Sequence, residues 1–396
     1  MEGNRLHPLL FAVLVCILGI ASAKVFNCVE EQTCTNSATL SHCYDPSEPC
    51  EGKIIKNGSI PCGCCDLCIE YLEEGERCET EPSNFPKEMC GPRLECRGYS
   101  SSNDDPTCGK MNTPCVQRQV VYEEGSQNTT FRPECDDYGS YAAKQCLLGS
   151  LCYCVDKDGI RIPGEAAEAE QMNKMNCECS RAVDYIKKTY PGAKNLPRCL
   201  ANGNYDTLQC YDDVCYCIRE DLTPSDTIFA SPDFIDQLPC YNKSVHPPSA
   251  KHECIREVEE AMLLLEEMQD EADVIVGYVF PSCGPDGKYN PVQRRGSWGI
   301  CVTPEGHQIG SYEALEGSLG FEQMNCYCAR AEYWANTVGG WLRPRCCPNG
   351  NFYPWQCTGP TCTCMNAQGE TWGTVEEVDL IMNLACYTET PCPDIV

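Results

Sequence analysis

Hydrophobic periodicity in this chain is short-ranged. One unbroken apolar run, residues 8–20, follows Arg5 and precedes the small residues Ala21-Ser22-Ala23. That is the build of a secretory signal peptide over residues 1–23, too short to read as a membrane span. Residues 254–276 set Ile255, Val258, Met262, Leu265 and Met268 on one stripe with acids opposite. This pattern predicts a helix packed on its own module, with a partner-binding helix as the alternative. NGNYDTLQC and GKYNPVQ alternate briefly after a Gly turn and read as strands. The elements add up to small modules, each a helix, a two- or three-stranded sheet and several loops.

One stretch recurs four times: PECDDYGSYAAKQC, PRCLANGNYDTLQC, PSCGPDGKYNPVQR and PRCCPNGNFYPWQC. Each copy has a Gly four residues after its first Cys (Gly139, Gly203, Gly287, Gly350) and an aromatic two further on (Tyr141, Tyr205, Tyr289, Phe352). A fixed internal pattern of this kind marks an array of modules. The copies fall in segments 115–177, 179–240, 254–326 and 328–386, with a tail at 387–396. A single residue joins the first to the second (CEC) and the third to the fourth (CYC). The Pro-bearing stretch 241–253 separates these doublets and reads as a hinge.

Composition turns this outline into a disulfide scaffold. Of 396 residues 37 are Cys, about 9%. Removal of Cys16 with the signal leaves an even number in an oxidising compartment. With four histidines after the signal (His42, His246, His252, His307), zinc is not expected, and no cofactor is implied. The net charge of −28 argues against nucleic acid and anionic membranes as partners and otherwise gives solubility. Sequons at Asn57, Asn128 and Asn242 suit a secreted, extracellular glycoprotein. No triad, HExxH or phosphate loop is present, so an enzyme is not expected.

Residues 24–110 carry twelve cysteines, densest at PCGCCDLC, with CGPRLEC downstream. They resemble the N-terminal Cys-rich domain of the insulin-like-growth-factor-binding proteins, with Arg93 where that family prefers Gly. The wording IEYLEEGERC also resembles small insect Cys-rich proteins, fungal-protease inhibitors among them.

The Pro-x-Cys, Gly, aromatic, Gln-Cys and Cys-x-Cys series resembles the thyroglobulin type-1 domain. Tyr153, Tyr216, Ile300 and Thr363 stand where that family usually has Trp, and the second copy lacks the later Gly. The resemblance implies small disulfide-rich α+β modules with sequential pairing. In the first module this gives Cys115–Cys135, Cys146–Cys152 and Cys154–Cys177. In the second it gives Cys179–Cys199, Cys210–Cys215 and Cys217–Cys240. The third has Cys254–Cys283 and Cys301–Cys326. The fourth has Cys328–Cys346, Cys357–Cys362 and Cys364–Cys386. In the third module both cysteines of the implied middle bridge are missing: Arg294 and Gly299 stand there. Their joint loss leaves no orphan thiol and costs roughly 2 kcal/mol on the chain-entropy model. Cys347 and Cys392 remain; they bridge each other or bond another molecule.

Several domains of that family inhibit papain-like cysteine proteases by a wedge of three loops, and rigid bridged loops suit such binding. Carried onto this chain, the first two loops and the Cys-x-Cys include Gly125, Ser126, Leu147, Leu148 and Tyr153 in the first module. They include Tyr190, Pro191, Gly192, Ala193, Tyr211, Asp212, Asp213, Val214 and Tyr216 in the second, and Gly339, Gly340 and Trp341 in the fourth. A glycan on Asn128 would obstruct the first copy, leaving the second as the better inhibitor. The expected partner is thus a papain-like protease bound by a monomer. An insulin-like-peptide binder and an extracellular adhesive module protein are the alternatives.

Overall fold

The computed structural model describes residues 44–47, 49–50, 52–55, 66–80, 87–98, 105–124, 132–147, 151–193, 195–246, 251–270, 278–339 and 343–396. The chain divides into two compact units, 1–110 and 111–396.

In the first unit β1 (Lys53–Ile55) pairs antiparallel with β2 (Leu67–Leu72), and β2 runs parallel to β3 (Glu88–Cys90). A second ribbon joins β4 (Leu94–Arg97) to β5 (Thr107–Lys110). Among the described residues Leu67, Ile69, Cys78 and Cys108 are its buried apolar side chains. Bridges Cys50–Cys68, Cys78–Cys96 and Cys90–Cys108 reinforce it. Arg93 has φ 65°, the left-handed conformation that favours Gly.

The second unit holds four modules of one build, a helix followed by a three-stranded antiparallel sheet. Module 1 has α1 (Pro114–Glu124), β6 (Lys144–Leu147), β7 (Leu151–Val155) and β8 (Arg161–Ala166), then the short α2 (Ala169–Lys174). Module 2 has α3 (Glu178–Thr189), β9 (Leu208–Tyr211), β10 (Val214–Ile218) and β11 (Pro224–Ala230). Module 3 has α4 (Glu253–Asp270), β12 (Val292–Arg295), β13 (Trp298–Val302) and β14 (Gln308–Leu315), then α5 (Leu319–Glu322). Module 4 has α6 (Tyr327–Thr337), β15 (Trp355–Thr358), β16 (Thr361–Met365) and β17 (Thr371–Glu377).

The recurring stretch frames each module. Its first Cys bridges across to its aromatic (Cys135 to Tyr141, and likewise in the other three). Its Gln makes the same three hydrogen bonds every time. The Gln145 carbonyl accepts from the Glu134 N–H at 3.0 Å, and its amide donates to Glu134 O and Ala142 O. Gln209, Gln293 and Gln356 repeat this around Arg198, Ser282 and Arg345. The amide side chain thus reinforces a backbone contact, since Glu134 O also accepts from the Ala142 N–H at 2.8 Å. The aromatic then lies under a later turn: a Cβ on Gly159 would stand 2.8 Å from the Tyr141 ring, and one on Gly306 2.8 Å from Tyr289. Module 2 has Leu222 at that turn, held at φ 63°.

Each module is stapled in sequence order, by three bridges except in module 3, which has two, Cys254–Cys283 and Cys301–Cys326. Cys347 bridges Cys392, returning the tail to module 4. In module 3 Arg294 and Gly299 are direct cross-strand partners, as Cys146 and Cys152 are in module 1. A Cβ on Gly299 would come 2.9 Å from Phe321 and Met324. Arg294 pairs with Glu316 and stands 5.5 Å from the Phe321 ring centroid. Packing by α5 fills the space of the missing bridge.

The stripe on α4 differs from the sequence expectation at one position. Cys254, Val258, Ala261, Leu265 and Met268 face inward, whereas Met262 is 49% exposed. Small Ala261, not Met262, continues the i, i+3, i+4 spacing from Cys254 and Val258.

Candidate functional site

The doublets are docked twice through the same contacts. Cys177 and Cys326, the last cysteines of modules 1 and 3, both adopt left-handed φ (62° and 60°) and turn directly into α3 and α6. Gly203 of module 2 lies against the Cys154–Cys177 bridge; a Cβ there would stand 2.4 Å from Cys154 Sγ. Gly350 of module 4 does the same, at 2.3 Å from Cys301 Sγ. Asn204 accepts from the Asn176 N–H (2.7 Å) and donates to Lys174 O (2.7 Å); Asn351 accepts from Asn325 N–H (2.8 Å) and donates to Gln323 O (2.7 Å). Arg181 donates to Val155 O and Tyr141 O, and Arg330 to Val302 O and Tyr289 O. The signal for this docking was in the sequence: Asn-Gly-Asn occurs in the second copy of each doublet and in neither first copy.

The doublets also pack on each other. Leu147, Leu151, Tyr153 and Val155 of module 1 share one core with Cys328, Ala331, Phe352 and Met365 of module 4. Glu165 on β8 accepts from Arg330 Nη1 (2.8 Å) and Trp334 Nε1 (2.9 Å), and Arg118 pairs with Glu370. Modules 2 and 3 meet where the Cys199 N–H donates to Pro285 O (3.2 Å). The segment read as a hinge is packed at its start. His246 is 3% exposed, its Nδ1 accepts from the Asn242 N–H (2.9 Å), and its Nε2 donates to Asp206 Oδ1 (2.9 Å). At its far end burial pushes the His252 imidazole down to about 4, helped by Arg198 and Lys288. A buried His–Asp bond is expensive to break, so 241–246 behaves as part of the packed body.

Of the expected wedge residues, Leu147 and Tyr153 are corrected. Each is 2% exposed and belongs to the core shared with module 4, so neither reaches a partner. Gly125, Ser126, Leu148, Gly340, Trp341, Asn57 and Asn128 lie outside the described residues. Gly339 ends α6 at φ +70°. Asn242 is exposed, its side-chain oxygen accepting from Ser244 N–H at 3.0 Å.

Module 2 brings its two loops together. Tyr190 caps α3 and is 60% exposed; Ala193 N–H returns to Tyr190 O (3.0 Å) around exposed Pro191 and Gly192. Tyr211 and Val214 close the β9–β10 hairpin as a cross-strand pair, with Asp212 at φ 49° and Asp213 beside it. Asn195 Nδ2 donates to Asp212 Oδ1 (2.9 Å), tying the first loop to the second. Tyr216 is half-buried and packs on exposed Phe229, ring centroids 6.2 Å apart. Module 3 exposes Tyr278, Val279 and Phe280 in the stretch before its Pro-x-Cys, where the resemblance places a first wedge loop. The sulfurs of Cys78, Cys90 and Cys96 lie within 4.8 Å of one another, but all three are committed to bridges.

The fold and this site define a disulfide-stapled α+β modular protein. Residues 108–177 and 178–225 match the thyroglobulin type-1 repeat, so the chain contains repeats of that type. Over 195 residues it is 28% identical to equistatin of Actinia equina, covering 48% of this chain and 76% of equistatin. Over 280 residues it is 26% identical to human thyroglobulin, covering 66% of this chain and 9% of that much longer protein. A shorter stretch is 27% identical to mouse nidogen-2, over 22% of this chain and 8% of nidogen-2. Among the described residues no helix is long and apolar enough to cross a membrane.

Proposed function

We propose that the chain is a secreted inhibitor of papain-like cysteine proteases and that module 2 carries the inhibitory edge. The observation behind this is the joined pair of exposed loops there, held by the Asn195–Asp212 hydrogen bond and flanked by Tyr190 and Tyr211. Similarity to equistatin supports a protease-inhibitor reading of the thyropin type. The bridges fix both loops before binding, so little ordering entropy is lost on entering a cleft. Large amphipathic rings at low side-chain entropy suit an anchor role. Module 1 is a poor wedge for a further reason: its second-loop residue Leu147 is in the interior. The dense bridges and sequons support export from the cell.

The test is titration of the full chain against a panel of cysteine, aspartic and serine proteases. Tight inhibition confined to papain-like enzymes is expected, weakened about tenfold or more by Tyr190→Ala with Tyr211→Ala. Asn128→Gln should leave it unchanged. Absence of inhibition at micromolar concentration, or equal potency of the double variant, overturns the proposal.

A further inference from the structure

The outer face of the module 2 sheet is apolar. Tyr211 and Val214 are direct cross-strand partners, as are Tyr216 and Phe229. Val214 and Tyr216 lie two apart on β10, so all four side chains leave the sheet on one side. The other side is the core of the module, where Leu208, Cys215 and Cys217 pack on Ile235 and Leu238. On the outer face Tyr211 is 60% exposed, Val214 45% and Phe229 58%, and the Tyr216 and Phe229 rings lie 6.2 Å apart.

In module 1 the same four positions are a contact surface. Leu147, Leu151, Tyr153 and Glu165 occupy them in the same register. The first three are buried in the core shared with module 4, and Glu165 accepts from Arg330 and Trp334 of that module. A sheet face of this build therefore already receives another protein surface once in this chain. Modules 3 and 4 carry charges or hydroxyls there: Arg295 and Glu313 in one, Thr358, Thr361 and Thr363 in the other. Module 2 alone has an aliphatic or aromatic side chain at all four positions, with Phe229 in the place of Glu165.

The exposed part of this face is on the order of 350 Å², less than half of the roughly 800 Å² that each partner gives to a stable interface. By itself it does not hold a partner, a second copy of this chain included. It is continuous with the inhibitory edge, since Tyr211 and Val214 both close the β9–β10 hairpin and begin the face. We propose that the face is a second contact surface for the protease: with the hairpin in the cleft, Tyr216 and Phe229 lie against an apolar part of the enzyme surface beside it. The assignment rests on the inhibitor reading of module 2 and adds a specificity determinant to it. A papain-like enzyme with a charged residue at that rim would have to bury the charge unpaired against Phe229, and would be inhibited less well.

The test is hydroxyl-radical footprinting of the full chain, free and saturated with a papain-like protease that it inhibits. Phe234 is the internal reference: it is 55% exposed and belongs to 232–237, which packs on the opposite face of the sheet. Oxidation of the Phe229 ring should fall severalfold in the complex while that of Phe234 stays the same. Phe229→Ala should weaken inhibition about tenfold, through faster dissociation rather than slower association, and Phe234→Ala should not. Circular dichroism establishes folding of both variants; should Phe229→Ala not fold, the footprint of the wild type decides. Oxidation of Phe229 that falls no more than that of Phe234, or unchanged inhibition by folded Phe229→Ala, overturns the proposal and leaves the inhibitor reading standing. Absence of inhibition across the protease panel overturns both. Protection of Phe229 in the free chain that grows with its concentration gives the face to a second copy and overturns the proposal as well.

Discussion

Gly350 tests whether a doublet is held by the contact between its repeated turn and its neighbour's bridge. Substitution by Ala adds one carbon, and two costs follow. The backbone has φ +78°, where a non-glycine residue costs about 1–2 kcal/mol. The new Cβ would also stand 2.3 Å from Cys301 Sγ and 3.3 Å from Cys326 Cα. That sulfur is locked in the Cys301–Cys326 bridge and cannot swing away, so overpacking adds about 1–3 kcal/mol. Gly359→Ala is the control, with φ +62° and no neighbour within 4 Å of its Cβ, so it carries the backbone cost alone. The Cys328 and Ala329 amides both donate to Gly350 O at 3.1 Å, which makes their hydrogen exchange the direct readout of interface opening. Exchange there should rise about 5- to 150-fold more in Gly350→Ala than in Gly359→Ala, the factor corresponding to the steric cost alone. Gly203→Ala should act alike in the other doublet, read at Ser180, whose N–H donates to Gly203 O. Equal exchange in Gly350→Ala and Gly359→Ala would refute the reasoning.

Three further outcomes follow. Leu222→Gly relieves a left-handed residue that is 46% exposed and should raise the stability of module 2 by up to about 1 kcal/mol in thermal denaturation; a loss would contradict the strain argument. Restoring the bridge of module 3 with Arg294→Cys and Gly299→Cys should not give the roughly 2 kcal/mol of a short loop, because the new side chain at 299 displaces Phe321; a full gain in melting temperature would count against that packing. His252 has a folded pKa of about 4 against an ordinary 6.5, so the folded state disfavours its charged form. Its contribution is complete above about pH 6.5 and is lost as pH falls toward 4, with Arg198, Lys288, Asp206 and His246 as its charged and titratable neighbours. Melts of His252→Gln should therefore decline less than wild type between pH 7 and pH 4.5; parallel declines would remove His252 from the account.

The class of fold was legible because a module this small leaves few ways to hold itself together. Recurring cysteines, the Gly turn and the Gln that satisfies three backbone groups all act within about a dozen residues, so their spacing survives in the sequence. The joint loss at Arg294 and Gly299 was legible for the same reason, since the two are cross-strand neighbours. What the reading missed lies between modules. Leu147 and Tyr153 occupy loop-like positions by local pattern, and only the arrival of α6 from far along the chain makes them interior. His246 looks like linker until Asp206 is placed against it. Arg161 carries no local signal, because its cage is built by Tyr153, Tyr327 and Phe352 from two modules.

The one-residue junctions at Glu178 and Tyr327 have a mechanical consequence. Each sits between two bridges, Cys154–Cys177 and Cys179–Cys199 in one doublet, Cys301–Cys326 and Cys328–Cys346 in the other. Tension applied between Cys115 and the tail would run through sulfur rather than through the helices and loops those bridges enclose. The chain could lengthen only at the segments left between bridges, 284–300 of module 3 being the longest, and at 241–253. Module 4 would hardly lengthen at all, because Cys328–Cys346 hands the load directly to Cys347–Cys392. A pulled molecule would therefore lengthen first at 241–253 and inside module 3, where the missing middle bridge leaves 284–300 outside any sulfur path.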